Sequence, residues 1–407
     1  LEGIYTLSEW LDLEEAQRQL LALAPPMPSE EIAVEDASGK VLSADLIARR
    51  TQPPADLSAM DGYAIAGAGP WTLIGESRCG APFADAIMAG QTVRISTGAQ
   101  MPEGATSVLM QENASREGER VRAEQAPAAG QHVRKRGFDF VDREALLSAG
   151  TLIGPQHIAL AMAGGHGVVP VAKAPRVSVL DSGDELAFDP TNCAPDQIPA
   201  SNGAMIAAMV APLVGNPMRI GPVKDDLSSL HKALAQAEDC DILITSGGAS
   251  VGDHDLVQEA LRHWGAEIAF WKVAIKPGKP LMVATRQTGE RQQLILGLPG
   301  NPVSSFVTAF LFALPAIRAS LGLNTPLPAP QPRIAGERFA AGGPRREFVR
   351  GISDGARVMS AASQDSSALA SLAHANCLII RQPLAPETAV GEQVSIYSLQ
   401  NGGFVGV

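Results

Sequence analysis

Cysteine is scarce in this 407-residue sequence, and Cys79, Cys193, Cys240 and Cys377 form no CxxC pair. Only Cys377 has a histidine nearby, His374. Neither a zinc site nor a disulfide framework is expected, and the thiols read as core or surface residues. A basic excess is also missing. The formal charge of −11 disfavours nonspecific binding to nucleic acid, which needs a positive face to displace counterions. No apolar run approaches the roughly 18 residues of a membrane span. The longest lies around Ser305 to Ile317, so no membrane partner is expected. The opening LEGIYTLSEW lacks the basic segment and apolar core of a secretory signal, and the cytoplasm is the expected location.

What is present belongs to a globular protein of several domains, with 45% hydrophobic and 18% charged residues. Thr6-Leu7-Ser8-Glu9 is a capping box ahead of Trp10, Leu11, Leu13, Leu20 and Leu21, predicting an amphipathic helix that stops before Pro25-Pro26. From about residue 30 to 150 the texture is short β-prone segments such as GYAIAGA, QTVRIST and SVLMQEN, separated by Gly, Pro and acidic residues. This predicts a small β-rich domain.

From Arg176 strands alternate with helices: VSVL, a helix over GAMIAAMVAPLV, a helix capped by Asp225-Asp226, DILIT, EIAFWKVAI, and LILGL before PGNPVSSFVTAFLFAL. Such alternation predicts a mostly parallel sheet with helices on both faces. After Asn324, TPLPAPQP reads as a linker. The segments EFVRGIS, CLIIRQP and EQVSIYS then predict a second small β-domain.

In an open parallel sheet, ligands sit beyond the carboxyl ends of the strands. Three loops fall there: Asp181 to Glu185, Ser246 to Gly252, and Gly297 to Pro302. The glycines of the second allow backbone N–H groups to converge on an anion such as phosphate. In the third, Asn301 suits an N-cap and Pro302 the first helical position. Asp253 and Asp255 suit either Mg²⁺ beside a phosphate or helix capping. Lys276-Pro277-Gly278-Lys279-Pro280 fixes two ammonium groups on a stiff loop, which suits a small dianion or a phosphate. Further basic clusters lie at Arg134-Lys135-Arg136 and at Arg345-Arg346 with Arg350. Asp61-Gly62, taken alone, reads as a tight turn.

The ordered motifs SAMDGYA, RISTGAQMPEGA, DSGDEL, VKDD, TSGGASVGDHD, AIKPGKP and LPGNPVS resemble the molybdopterin molybdenumtransferases, the bacterial MoeA family, whose eukaryotic relatives include the C-terminal part of gephyrin. The likeness spans nearly the whole chain. It implies a multidomain α/β plus β fold: an elongated segment over 1–45 and 142–175, an inserted β-rich domain over 46–141, a three-layer α/β/α domain with a mostly parallel sheet over 176–324, and a C-terminal β-barrel over 325–407.

The family reaction takes adenylylated molybdopterin and molybdate with Mg²⁺, hydrolyses the pyrophosphate bond, and yields molybdenum cofactor and AMP. Carried over by motif, Asp61, Glu185, Asp226 and Asp255 are the catalytic candidates, and Glu185, Asp253 and Asp255 the metal candidates. Ser246, Gly247 and Gly248 would cradle phosphates. Lys272, Lys276, Lys279, Pro299, Pro302, Ser304, Ser367 and an arginine, Arg346 or Arg350, would contact substrate, molybdate included. The resemblance also implies a homodimer in which Asp61, Thr97 and Asp139 complete the cleft of the other subunit, with a molybdopterin adenylyltransferase as a possible partner. Departures from the pattern are Ser182 for Thr, Phe138 for an acidic residue, and a glycine-poor stretch over 364–371.

Three other functions fit parts of the chain. A molybdopterin adenylyltransferase has a similar α/β domain but lacks the β-domains and the KPGKP and LPGNP loops. A molybdopterin-binding scaffold gives no reason for carboxylates beside a phosphate loop. A nucleotide-processing hydrolase on the same domain would release AMP without molybdate.

Overall fold

The computed structural model of the chain describes residues 10–247 and 256–400. At its centre lies a six-stranded sheet. Its strands are β1 (Val177–Ser182), β2 (Met218–Val223), β3 (Ile242–Ser246), β4 (Ala266–Lys272), β5 (Pro280–Thr288) and β6 (Arg291–Leu298), in the order β2-β1-β3-β6-β5-β4. β2, β1, β3 and β6 run parallel, and β5 pairs antiparallel with both neighbours. VSVL, ILIT and LILGL are continuous apolar runs because both faces of these strands are covered.

One face packs on α1 (Ser201–Val214) and α4 (Pro302–Ser320), through Val179, Ile244 and Leu296 against Ile206, Val307 and Phe310. The opposite face packs on α2 (Leu227–Gln236) and α3 (Leu256–His263), through Leu180, Leu243 and Ile295 against Leu230, Leu234 and Leu261. The three-layer α/β/α arrangement follows. Two points differ from the sequence reading, which had no strand over 280–288 and took EIAFWKVAI, at β4, as one run. The strand in fact ends at Lys272, after which the chain leaves the sheet.

α4 is long and apolar enough to cross a membrane, but 89% of that stretch is buried inside the fold. Its apolarity on all sides is that of a core helix. A π-helical turn occupies Ala309–Ala313. Pro315 follows, without an N–H to give to the Leu311 carbonyl. The buried Gln17 side chain donates to that carbonyl instead, at 2.9 Å.

Gln17 belongs to the helix Leu13–Ala22, which packs on α4 through Leu13, Ala16 and Leu20. This helix starts later than the sequence suggests. Residues 6–9 lie outside the described part, Trp10 to Asp12 are not helical, and Asp12 is the cap, accepting from the Glu15 N–H at 2.7 Å. The chain then passes outward and back. Ser29–Ala33 pairs antiparallel with Val168–Ala172, and Leu46–Ile47 with Ala145–Leu147.

Between these crossings lies a six-stranded sheet that begins at Ser107–Met110 and Gly62–Ile65 and ends at Arg120–Ala123 and Ala114–Glu117. After α4, the strands Gln331–Ala335, Arg346–Ser353, Arg357–Ser360, Cys377–Arg381 and Gln393–Ser398 close into a barrel. The short strand Ile275–Lys276 joins that barrel sheet, pairing parallel with Arg346 and Glu347.

Candidate functional site

The carboxyl ends of β1, β3 and β6 are level, Asp181 lying opposite Ser246 and Ser246 opposite Leu298. Beyond them the loops are tied to one another. Gly247 turns out of β3 with φ of +99°, a conformation that favours glycine, and its N–H donates to the Leu298 carbonyl at 3.1 Å. The Asn202 side chain, in the first turn of α1, donates to the Gly300 carbonyl at 2.7 Å. Gly203 donates its N–H to the Asp181 carboxylate.

Asp181 is 3% exposed. Burial pushes its carboxyl up to about 6, against the pull of Arg219 and the Gly203 N–H. Sequence reasoning noted Asp181 only as a loop member. Its burial is a property of the fold, which presses α1 onto the end of β1.

Glu185 is exposed on the same loop, its carboxylate turned back over Gly183. Asp226 is the N-cap of α2, accepting from the Ser229 N–H at 2.9 Å and the Ser229 hydroxyl at 2.7 Å. Those bonds, the hydroxyl's first, hold its carboxyl below the usual range. Gly248, Asp253 and Asp255 lie outside the described residues. Among the described residues no three metal-binding side chains come together.

A second group of candidates surrounds the start of α4. Asn301 stands at the N-cap, but its side chain reaches the Ser366 hydroxyl, at 3.0 Å, and the Ser366 carbonyl accepts from the Val303 N–H at 3.2 Å. A loop of the barrel therefore seats on the first turn of the helix. The KPGKP loop seats on its side, since a Cβ at Gly278 would lie 2.5 Å from Thr308 Oγ1. Pro299 and Ser304 are buried here, with Pro302 half-buried beside them.

The cations of this region differ in their partners. Lys276 pairs with Glu347 at 2.9 Å, and Arg346 pairs with Glu14. Lys279 lies over the ring of Trp10, 4.8 Å from its centroid, and Arg345 at 5.8 Å. The Lys272 carbonyl accepts from Leu11 at 2.9 Å. Arg350 is 1% exposed. Its guanidinium donates to the carbonyls of Ser363 and Asp365 at 2.8 and 3.0 Å, so it fixes the barrel loop that carries Ser366. Ser367 donates its hydroxyl to Asp365 at 2.6 Å. Trp10 was not among the sequence candidates, and Arg345 was read only as part of a basic cluster. Their proximity to Lys279 depends on segments far apart in the chain.

In the β-rich part, Asp61 accepts from the Thr97 N–H at 2.7 Å and hydroxyl at 3.1 Å. Gly62 serves a strand rather than only a turn, for a Cβ there would lie 2.0 Å from the Leu109 carbonyl. Asp139 is exposed on a segment whose backbone N–H donates to the Gln52 carbonyl at 3.0 Å. Asp61 and Thr97 thus come together. Among the described residues no hydrogen bond joins them to the strand-end loops.

Comparison with known proteins accounts for this combination of parts. Residues 11–165 match the MoeA N-terminal region (domain I and II), 178–319 a probable molybdopterin binding domain, and 333–399 the MoeA C-terminal region (domain IV). A molybdopterin molybdenumtransferase from Haemophilus influenzae is 30% identical over 400 residues, covering 95% of this chain and 98% of that protein. One from Nostoc is 35% identical over 316 residues, 74% of this chain and 72% of that protein. The chain belongs to the molybdopterin molybdenumtransferase family.

A crystal structure of the molybdopterin biosynthesis MoeA protein from Pyrococcus horikoshii OT3 superposes with a TM-score of 0.82 at 26% identity, over 95% of this chain and 99% of that one. MoeA membership extends across the regions before and after the α/β sheet. A lone adenylyltransferase-like domain would match the middle region only. Membership of the family ties the chain to molybdenum cofactor biosynthesis.

Proposed function

We propose that the chain inserts molybdate into adenylylated molybdopterin, with Mg²⁺-dependent hydrolysis of the pyrophosphate bond and release of AMP and molybdenum cofactor. The observation that carries this reading is the mutual tying of the strand-end loops, Gly247 to Leu298 and Asn202 to Gly300, together with the lysine loop that seats on α4 through Gly278. The first arrangement suits phosphates and the second a compact dianion. Ser246, with Gly248, would bind the phosphate oxygens, and Gly247, whose N–H goes to the Leu298 carbonyl, would shape the turn between them. Lys279, with Ser304, would orient molybdate, and Arg345 joins them because it shares the Trp10 ring with Lys279.

Glu185, an exposed carboxylate on a strand-end loop, is a hard oxygen donor of the kind Mg²⁺ takes, and Asp253 and Asp255 would complete the set. The bound ion would neutralise charge developing on the phosphate oxygens. Asp226, already capping α2, would act by fixing the VKDD loop. Lys272, Pro299, Pro302 and Ser367 would shape the walls, Arg350 would hold the barrel loop, and Arg346 and Lys276, each on a carboxylate, would contribute field more than direct contact.

In this reading the chain works in the cytoplasm as a homodimer. Asp61 and Thr97, joined by their hydrogen bonds, and Asp139 would close the cleft of the other subunit. A molybdopterin adenylyltransferase would supply the substrate. The domain division over 1–45 with 142–175, 46–141, 176–324 and 325–407 belongs to the same proposal.

The deciding experiment is AMP release from adenylylated molybdopterin with Mg²⁺, with and without molybdate, while the metal retained in the pterin product is followed. Molybdate-dependent release with metal incorporation supports the transferase. Release indifferent to molybdate overturns it in favour of a nucleotide hydrolase, and binding without release in favour of a scaffold.

A further inference from the structure

The cations near the start of α4 divide by what they face. Lys276 and Arg346 each meet a carboxylate, Glu347 and Glu14. Lys279 and Arg345 make no ion pair among the described residues and instead lie within 6 Å of one aromatic centroid, that of Trp10. A carboxylate competes with an incoming anion for its cation. An aromatic face attracts a cation through its quadrupole and leaves the charge in place.

The segment that carries Trp10 is held at its next residue. Leu11, the next residue, donates its N–H to the Lys272 carbonyl at 2.9 Å and accepts from the Ala274 N–H at 2.9 Å, bridging to Val273. Arg345 also donates to the Ile275 carbonyl at 3.3 Å. The N-terminal segment is therefore stitched to the chain that leads into the lysine loop, with its indole against the two cations that lack carboxylates.

We propose that Trp10 is a positioning residue for a small oxyanion subsite: its ring holds the Lys279 ammonium and the Arg345 guanidinium, still charged, where they can receive molybdate. This rests on the reading above that Lys279 meets molybdate. The role of Trp10 is to limit where two long side chains go, so it acts on anion affinity rather than on the chemical step. Lys and Arg side chains carry large rotamer freedom, and restricting it before binding raises affinity.

The test uses the full chain and molybdate-dependent AMP release, with molybdate varied. Trp10→Leu keeps apolar bulk and removes the ring. It is expected to raise the half-saturating molybdate concentration about tenfold, the scale of one such contact, while the rate at saturating molybdate stays near that of the wild type. Trp10→Phe, which keeps a weaker ring face, should fall between the two. Should Trp10→Leu fail to fold, Trp10→Phe decides: an intermediate rise supports the proposal and an unmoved half-saturation overturns it.

Lys279→Ala, run in parallel, separates the two layers of inference. If Lys279→Ala leaves half-saturation unmoved, the assignment of molybdate to this loop fails. If it raises half-saturation and both Trp10 variants do not, only the role of Trp10 falls. A fall in the saturating rate of Trp10→Leu with unchanged half-saturation would mark a merely structural tryptophan and overturn the proposal.

Discussion

The Asp181 carboxylate and Gly203 are in direct contact: Gly203 donates its N–H to the carboxylate, and a Cβ at position 203 would lie 1.9 Å from Asp181 Oδ2. No side chain fits there without displacing a buried charged group. The contact joins the end of β1 to the first turn of α1, and Asn202, one residue back, joins that turn to Gly300.

Gly203→Ala is accordingly expected to destabilise the fold by about 3 kcal/mol, combining overpacking with a disturbed buried carboxylate. Urea unfolding measures this. A change within about 0.5 kcal/mol, the range of ordinary surface substitutions, would mean that the joint yields easily.

Asp181 also makes stability depend on pH. Its carboxyl is raised from 3.8 to about 6 in the folded chain, so between those values the folded state holds a proton that the unfolded state has lost. The stabilising contribution is present below pH 3.8 and lost as pH rises through about 6. Asp181→Asn removes this titration. The stability of the variant minus that of the wild type should rise by up to about 3 kcal/mol from pH 4 to pH 7, as read from denaturant midpoints at several pH values. A flat difference would contradict it.

Gln17 offers a test far from the strand-end loops. With Gln17→Ala, the buried Leu311 carbonyl loses its donor, and because Pro315 cannot replace it the cost should be about 1–3 kcal/mol. Thermal unfolding of the two chains, with the enthalpy measured, gives the value.

A cleft shared between subunits predicts complementation. Asp61→Ala and Glu185→Ala should each fold and lose turnover, and mixing the two under conditions of subunit exchange should restore part of the activity. Persistent inactivity of verified mixed dimers would count against a shared site.

Much of the architecture was legible because it depends on short-range pattern. The runs VSVL, ILIT and LILGL mark buried parallel strands, and Asp226 before Leu227 marks a helix start. The β5 strand was not legible, since PLMVATRQT ends in polar residues and owes its state to partners on both sides. The helix at Leu13 was put too early because Thr6-Leu7-Ser8-Glu9 has the form of a capping box, while Asp12 makes the observed cap. The ion pairs were invisible for another reason. Lys276 and Glu347 are 71 residues apart, and Arg346 and Glu14 are 332 apart, so local sequence could identify cations without telling which were already neutralised.

The short strand Ile275–Lys276 belongs to the barrel sheet although it lies in the chain between two strands of the central sheet. The lysine loop is thus framed by two folding units at once. It follows that an excised α/β region would lack Arg346 and Glu347, the pairing partners of the segment leading to Lys279, even if the central sheet folded. Recombination of domains among relatives would then be constrained to exchange the loop and the barrel together.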